Sequence, residues 1–188
     1  RRMISEEGRT LIVRRAGKTD TIGPIPSDDE LGGGVSHFRA TEAFEARDGA
    51  IWFGVMGSGT GHQIARMEVE RALSGAPDAW RWFTDKDGLE INYSVHFAQA
   101  DDGRIWVVSG HAGCGINVYM PDPARPGGHG TWSQFPWQPD THTPLIQTSI
   151  RRASDGTLWI GGFGYLATIR NDSLKVYGMF RSFSGDMP

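Results

Sequence analysis

Short runs of apolar residues alternate with glycine- and aspartate-containing segments along the whole chain. No run keeps the 3.6-residue period of an amphipathic helix over an ordinary helix length, so the pattern indicates strands joined by turns. Three runs share one phrase, in which Asp-Gly is followed by a variable residue, by Ile or Leu, and by Trp. The copies occupy residues 48–54, 102–108 and 155–161. Their tryptophans, Trp52, Trp106 and Trp159, lie 54 and 53 residues apart, which indicates repeated copies of one supersecondary unit.

Each repeat predicts a sheet of four short strands. Asp-Gly favours a tight turn, and the apolar run around the tryptophan is typical of a buried strand. The other strands are predicted before the turn (41–46, 95–100 and 148–153), after a glycine-rich connection (63–67, 116–119 and 166–169) and in an aromatic stretch (80–83, 132–135 and 176–180). Four-stranded units at this period are typical of β-propeller blades, so we predict an all-β fold with the three tryptophans buried in its core.

The repeats also predict how the chain is organised. We expect N-terminal strands and a linker over residues 1–34, followed by propeller repeats over 35–188, at about 35–84, 85–136 and 137–183. The N-terminal segment resembles a worn fourth blade, with Glu7-Gly8 in place of Asp-Gly and Leu11 in place of tryptophan. Known propellers have about four to eight blades, so three blades cannot close a ring. We therefore expect further blades from the same chain or from a homo-oligomer, with a compact four-bladed ring as the alternative.

One longer passage resembles a known repeat family. Residues 82–93 read Trp-Phe-Thr-Asp-Lys-Asp-Gly-Leu-Glu-Ile-Asn-Tyr and lead into Asp-Gly-Arg-Ile-Trp at 102–106. This passage resembles the two-component regulator propeller repeat, whose pattern is an aromatic strand, T-x-x-D-G-L-x-x-N, an inner strand and D-G-x-L-W-I-G-T. The final Gly-Thr is replaced here by Val108-Ser109. The resemblance covers about residues 35 to 180, and its D-G-x-L-W part is also similar to the repeats of streptogramin lyase propellers.

The resemblance implies a role in signal transduction. Such repeats usually form the extracytoplasmic sensor of hybrid histidine kinases, and in well-studied cases they sense glycan fragments. The resemblance therefore implies a non-catalytic module that senses or binds a small polar or carbohydrate ligand, in the periplasm or outside the cell. Residues 1–188 contain no kinase, receiver or DNA-binding segment.

Several polar residues map to one face of the predicted propeller. Loops that join blades and loops between second and third strands open on the same face, where propeller ligands usually bind. We predict a surface there for a small polar or carbohydrate ligand or a protein, made by His37, His62, Asn92, Tyr93, His111 and His142. The alternative is that these are ordinary polar loop residues. His96 is predicted inside an inner strand, and His129 in a loop on the opposite face.

Composition narrows the classes of partner and cofactor. The net charge of −3 gives no basic surface for nucleic acid, and no apolar run approaches the ~20 residues of a membrane span. The single cysteine, Cys114, cannot form an internal disulfide. The histidines lack the His-x-His and His-Glu-x-x-His spacings, so we expect no metal. We also expect no cofactor and no catalytic residue. Asp48, Asp102 and Asp155 are expected to close the repeated turns.

Two other functions remain open at the level of the sequence. One is a lyase-like propeller enzyme with a His-centred site on the same face. The other is a scaffold whose blades complete a larger protein. Adjacent carboxylate and histidine side chains at the ring centre would favour the enzyme. A shallow aromatic-lined groove would favour binding, and an unpaired outer blade edge would favour the scaffold.

Overall fold

The computed structural model describes residues 3–7, 10–15, 17–23, 25, 40–55, 63–90, 95–109, 115–125, 129–136, 147–162 and 165–179. These residues form four antiparallel sheets, each built from consecutive strands in chain order. The helices among them are one turn of α-helix, α1 (Val69–Leu73), and one 3₁₀ turn (Asp85–Asp87). Neither of these helices has the length and apolar character needed to cross a membrane. The predicted all-β fold is confirmed.

The sheets follow the order of the chain. Sheet 1 has three described strands, β1 (Met3–Glu7), β2 (Thr10–Arg15) and β3 (Lys18–Ile22). Sheet 2 comprises β4 (Ala40–Glu45), β5 (Ile51–Val55), β6 (Gln63–Met67) and β7 (Trp80–Phe83). Sheet 3 comprises β8 (Val95–Gln99), β9 (Ile105–Ser109), β10 (Ile116–Pro121) and β11 (Gly130–Phe135). Sheet 4 comprises β12 (Gln147–Arg152), β13 (Leu158–Gly162), β14 (Tyr165–Arg170) and β15 (Ser173–Met179). Sheets 2, 3 and 4 thus contain the strands predicted for the three repeats.

The Asp-Gly dipeptides form three equivalent turns. In each, the aspartate Oδ1 accepts a hydrogen bond at 3.0 Å from the backbone N–H two residues later, in the pairs Asp48–Ala50, Asp102–Arg104 and Asp155–Thr157. The glycines adopt left-handed φ values of 82°, 93° and 84°, which residues with a Cβ rarely adopt. The prediction that these aspartates close the turns is confirmed.

Sheet 1 is built differently from the repeats. Glu7 of β1 pairs directly with Thr10 of β2, whereas in sheet 2 the strand residues that flank the turn are Glu45 and Ile51. Glu7 therefore lies in a strand, whereas Asp48 lies in the turn. Leu11 is nevertheless buried against sheet 2, as the alignment with the tryptophans predicts.

Apolar clusters join each sheet to the next. Leu11 and Val13 of sheet 1 are in one cluster with Ile51 and Phe53 of sheet 2, and Val69 of α1 belongs to it. The second cluster joins sheets 2 and 3 and includes Trp52, Phe83, Phe97 and Tyr119. The third joins sheets 3 and 4 and includes Trp106, Val118, Ile160 and Ala167. The sheets therefore stack face to face in sequence order, as blades do.

The three repeated tryptophans occupy equivalent strand positions but differ in burial. Trp52, Trp106 and Trp159 pair across the first two strands of their sheets with Phe44, Ala98 and Arg151. Trp52 and Trp106 are 2% and 1% exposed, whereas Trp159 is 39% exposed. The predicted burial is therefore confirmed for two tryptophans and wrong for Trp159. The physical reason is that, within the described part of the chain, no further sheet covers the face of sheet 4 that carries it.

The passage between sheets 2 and 3 has a defined structure. The Thr84 hydroxyl accepts from the backbone N–H of Lys86, and the Asp87 carboxylate accepts from that of Thr84, which caps the 3₁₀ turn. Gly88 ends the turn with φ 90°, and Leu89 is buried. The buried Asn117 amide then makes hydrogen bonds of 3.0 and 2.9 Å with the N–H and carbonyl of Glu90. These contacts attach the passage to sheet 3 shortly before β8.

Candidate functional site

The first strands of sheets 2, 3 and 4 bring polar side chains together. β8 contacts both β4 and β12, so the inner edges of the three sheets converge. Glu42 lies on β4, His96 on β8 and Arg151 on β12. We call these three residues the axial cluster.

The axial cluster is held together by charge and hydrogen bonding. His96 Nδ1 lies 2.6 Å from Glu42 Oε2, and Arg151 Nη1 lies 3.7 Å from Glu42 Oε1. The Glu42 and His96 side chains are 18% and 26% exposed, so solvent and salt screen their interaction less than that of a surface pair. Because an ionised carboxylate can only accept, Nδ1 of His96 is the donor, and in the neutral ring Nε2 is left as an acceptor.

Two members of the axial cluster, Glu42 and Arg151, line a cleft of about 400 Å³, whereas His96 is not among its lining residues. The charged residues that line it are Glu42, Glu45, Arg47, Arg151 and Arg152. Its apolar part is made by Phe44 and Phe97, whose rings stack with centroids 6.0 Å apart. The cleft therefore combines an aromatic surface with three cations and two carboxylates. This arrangement suits a small ligand that carries hydroxyl or carboxylate groups next to an apolar face.

Two of the three arginines are anchored to sheet 3. The Arg47 guanidinium donates to the carbonyls of Ala100 and Asp101, and its backbone N–H donates to Gln99 Oε1 at 2.8 Å. Arg152 donates to the Asp101 carboxylate, and this hydrogen bond holds the pKa of Asp101 below its usual range. Arg151 donates to the carbonyl of Ile150, but its side chain is 68% exposed. Arg151 is therefore the cation of the cleft with most freedom to meet a ligand.

The six predicted ligand-binding residues, His37, His62, Asn92, Tyr93, His111 and His142, all lie outside the described residues. The structure describes the starts of β4, β8 and β12, which follow His37, Asn92, Tyr93 and His142 along the chain. Glu42 and His96 are the third and second residues of their strands, so the axial cluster lies near these strand ends. The predicted site remains a prediction.

The two described histidines have different surroundings. His96 lies inside an inner strand, as predicted, and belongs to the axial cluster. His129 precedes β11, and its Nδ1 lies 3.1 Å from Arg81 Nη1 of the neighbouring sheet. His129 therefore contributes to a contact between sheets and not to the axial cleft.

Glu42 and Arg151 were not predicted from the sequence, although the repeat contains a signal that brings Glu42 and His96 together. Glu42 and His96 each stand six residues before the aspartate of the Asp-Gly turn, and Ser149 occupies the same place in the last repeat. In the structure these positions pair with Gly54, Val108 and Gly161 in equivalent registers. Polar residues at one repeat position on consecutive inner strands indicate convergence at the axis.

The axial cluster is not suited to a metal ion. Among the described residues, no three His, Cys, Asp or Glu side chains converge in a way that could hold one. Glu42 and His96 form a pair, and the third member of their cluster is a cation, which opposes metal binding.

Comparison with known proteins extends the fold assignment. No family model and no curated protein matches the chain. A streptogramin B lyase structure aligns over 91% of this chain and 48% of its own, with 15% identity and a TM-score of 0.54. A gluconolactonase from Xanthomonas campestris aligns over 95% and 58%, with 16% identity and a TM-score of 0.55. A luciferin-regenerating enzyme aligns over 95% and 59%, with 10% identity and a TM-score of 0.60.

These similar structures define the architecture. They are β-propeller proteins, and at such low identities the similarity shows the fold alone. The chain spans about half the length of the solved proteins that it matches. Its stacked sheets, repeated turns and equivalent tryptophans agree with that comparison, and the chain has the fold of β-propeller blades.

Proposed function

We propose that this chain is a ligand-binding β-propeller module whose site is the axial cleft. The observation that carries the proposal is the axial cluster, in which Glu42, His96 and Arg151 come from three successive inner strands. Taking a carboxylate and an imidazole partly out of water costs free energy, which their hydrogen bond offsets. Glu42 lines the cleft and is 18% exposed, so a small molecule in the cleft can reach its carboxylate.

The chemistry of the cleft favours a carbohydrate or a sugar acid. Carboxylate, imidazole and guanidinium groups form charge-assisted hydrogen bonds with hydroxyls, and guanidinium also pairs with carboxylates. The Phe44 ring supplies an apolar surface for the C–H face of a sugar. The six predicted loop residues, His37, His62, Asn92, Tyr93, His111 and His142, are proposed to extend this site beyond the strand ends.

The proposed biological role is extracytoplasmic sensing. It rests on the resemblance of residues 82–106 to the two-component regulator propeller repeat, in which propeller blades serve as sensors. We also propose that further blades, from the same polypeptide or a second copy, complete the ring, because the chain spans about half the length of the propellers that it matches.

Binding is tested by titrating neutral monosaccharides, disaccharides and sugar acids into the protein, with calorimetry as the measurement. A ligand that belongs to the axial cleft should bind the Glu42→Gln and Arg151→Ala variants at least tenfold more weakly than the original protein. Glu70→Gln, on α1 and outside the cleft, is the matched control. Equal affinities in all four proteins would show that the axial cluster only supports the fold.

A second function, proton-transfer catalysis, is favoured by the 2.6 Å contact between His96 and Glu42. An adjacent carboxylate and histidine pair is the feature expected to favour the enzyme hypothesis. His96 Nε2 would act as a general base, while Glu42 holds Nδ1–H and stabilises the imidazolium that forms. The substrate would then lose a proton to His96, which is partly exposed and lies beside the cleft residue Glu42.

Product analysis by NMR separates the two functions. In His96→Asn, the amide can still donate to Glu42, but the base is lost. An enzyme should therefore keep its ligand affinity in His96→Asn and lose at least a hundredfold in turnover. A binding module should show no conversion of any bound ligand, in either the original protein or the variant.

A further inference from the structure

The outer face of sheet 4 exposes a compact aromatic surface. Trp159, Leu166 and Tyr177 lie on it with 39%, 36% and 45% of their surfaces exposed. The Trp159 and Tyr177 rings stack with centroids 5.7 Å apart and an interplanar angle of 17°. Leu158 and Ile160, which alternate with Trp159 along β13, are buried against sheet 3. The aromatic surface is thus the opposite face of a sheet whose inner face is already covered.

The earlier repeats show what covers this face. Trp52 occupies the same position in sheet 2 and contacts Tyr119 and Trp132 of sheet 3, at centroid distances of 5.0 and 6.1 Å. Trp106 occupies it in sheet 3 and lies in the cluster that includes Leu158 and Ile160 of sheet 4. In both cases, the sheet formed by the next copy of the repeat buries the tryptophan.

Cationic side chains border the aromatic surface. Arg151 lies beside Trp159 in the strand pairing, and Lys175 Nζ lies 4.8 Å from the centre of the Tyr177 ring. At the existing boundary between sheets 3 and 4, Arg104 reaches Asp172 at 2.7 Å. The aromatic surface with its cationic border therefore suits an apolar sheet face that is edged by carboxylates.

The other end of the stack has a different character. On sheet 1, the described residues on the face turned away from sheet 2 include the exposed Arg14, Thr19 and Thr21 and the half-buried Ile12. A second copy added head to tail would place these polar groups on Trp159 and would leave their hydrogen bonding poorly satisfied. This mismatch argues against a ring closed by the described face of sheet 1.

We infer that the outer face of sheet 4 is the docking surface for a further four-stranded sheet of the same repeat, with aliphatic residues where sheet 4 has Leu158 and Ile160. The inference rests on the proposal that further blades complete the ring, and it is independent of what the axial cleft binds. Stacking a repeat on this face should stabilise the chain, because blade stability depends on contacts between neighbours.

The test appends a second copy of residues 137–183 to the full chain and compares thermal unfolding. We expect the extended protein to melt as one cooperative unit, at a higher temperature than the original. Trp159→Ala, made only in the original copy of the repeat, should lower the melting temperature of the extended protein at least twice as much as that of the original protein. Trp106→Ala, already buried in both, should have the same effect in each.

Three outcomes would overturn the inference. One is an equal effect of Trp159→Ala in the two proteins, and another is an extended protein that fails to unfold as one unit. The third is sedimentation of the original chain as a dimer that Trp159→Ala dissociates, which would assign the face to a second copy. If the protein binds no sugar but the appended repeat still stabilises it, only the proposed ligand site is contradicted.

Discussion

At the scale of single residues, a close approach between sheets 2 and 3 explains why residue 54 is a glycine. A Cβ on Gly54 would lie 2.0 Å from Val95 Cγ2 and 2.7 Å from Thr41 Oγ1. Val95 begins β8, so the first strand of sheet 3 leaves no room for a side chain at this point. Gly54 is therefore needed because it has no side chain. Its backbone angles are not unusual.

We therefore predict that Gly54→Ala destabilises the protein by about 1–3 kcal/mol, the usual cost of an overpacked core position. Urea denaturation gives the free energy of unfolding. Gly115→Ala is the matched control, because a Cβ there would meet only Gln134 Oε1, at an ordinary 3.7 Å. Similar losses in the two variants would contradict the explanation.

A buried tyrosine gives a prediction about pH. Burial raises the pKa of Tyr119 from 10.0 to about 12, because the phenolate would lose its hydration. The unfolded chain ionises near pH 10, so the contribution of Tyr119 to stability is complete below that pH. It is lost as the pH rises from about 10 to 12, since only the unfolded state releases the proton easily.

The unfolding free energy of the original protein should therefore fall more steeply above pH 10 than that of Tyr119→Phe. Denaturation at a series of pH values measures both slopes, and absorbance of the folded protein reports ionisation directly. Parallel curves for the two proteins would show that Tyr119 ionises equally in the folded and unfolded states.

At the scale of elements, the Asp-Gly turn is the most regular unit. The Asp155 carboxylate accepts from both the backbone N–H and the hydroxyl of Thr157, each at 3.0 Å. The backbone hydrogen bond is the main reason that the pKa of Asp155 lies below its usual value. Its stabilising effect is present above the unfolded pKa near 3.8 and is lost as the pH falls through the lower folded value.

We predict that Asp155→Ala lowers the melting temperature at neutral pH, whereas Asp155→Asn, which keeps the accepting oxygen, lowers it less. Calorimetry at pH 7 and at pH 3 measures the effect. The gap between the original protein and Asp155→Ala should narrow at pH 3. A gap of the same size at both pH values would show that the carboxylate does not stabilise the turn through its charge.

The elements of this fold could be predicted because each follows from local chemistry. Asp-Gly determines the turn, the short apolar runs between polar segments indicate the strands, and both recur at one period. The burial of Trp159 could not be predicted in this way, because it depends on whether another sheet covers its face. Likewise, His96 and Glu42 are 54 residues apart, and no local pattern joins them. Only their shared position in the repeat indicates that they meet.

At the scale of the whole molecule, stability depends on contacts between successive sheets. Trp52 is the centre of such a contact, since it stacks on Phe83 at 5.6 Å and meets Tyr119 and Trp132 of sheet 3. Its removal would open a cavity between two sheets rather than within one. Removal of Trp52 should therefore destabilise both sheet 2 and sheet 3.

We predict that Trp52→Ala costs about 3–5 kcal/mol of unfolding free energy, the usual loss for a large buried aromatic residue. Chemical denaturation measures the loss. Met120→Ala is the control, because Met120 is an exposed apolar residue on sheet 3 and should change stability little. A loss below about 1 kcal/mol for Trp52→Ala would contradict the proposed role of the sheet boundary.

Arg151 belongs to two surfaces at once. Its guanidinium approaches Glu42 in the axial cluster, while its backbone pairs with Trp159 on the outer face of sheet 4. A sheet docked on that face would restrict the same side chain that a ligand in the cleft would contact. Thermodynamic linkage then requires reciprocity: if docking changes ligand affinity by some factor, ligand changes docking affinity by the same factor. Arg151 would thus couple the docking of a further sheet to the binding of a ligand in the axial cleft.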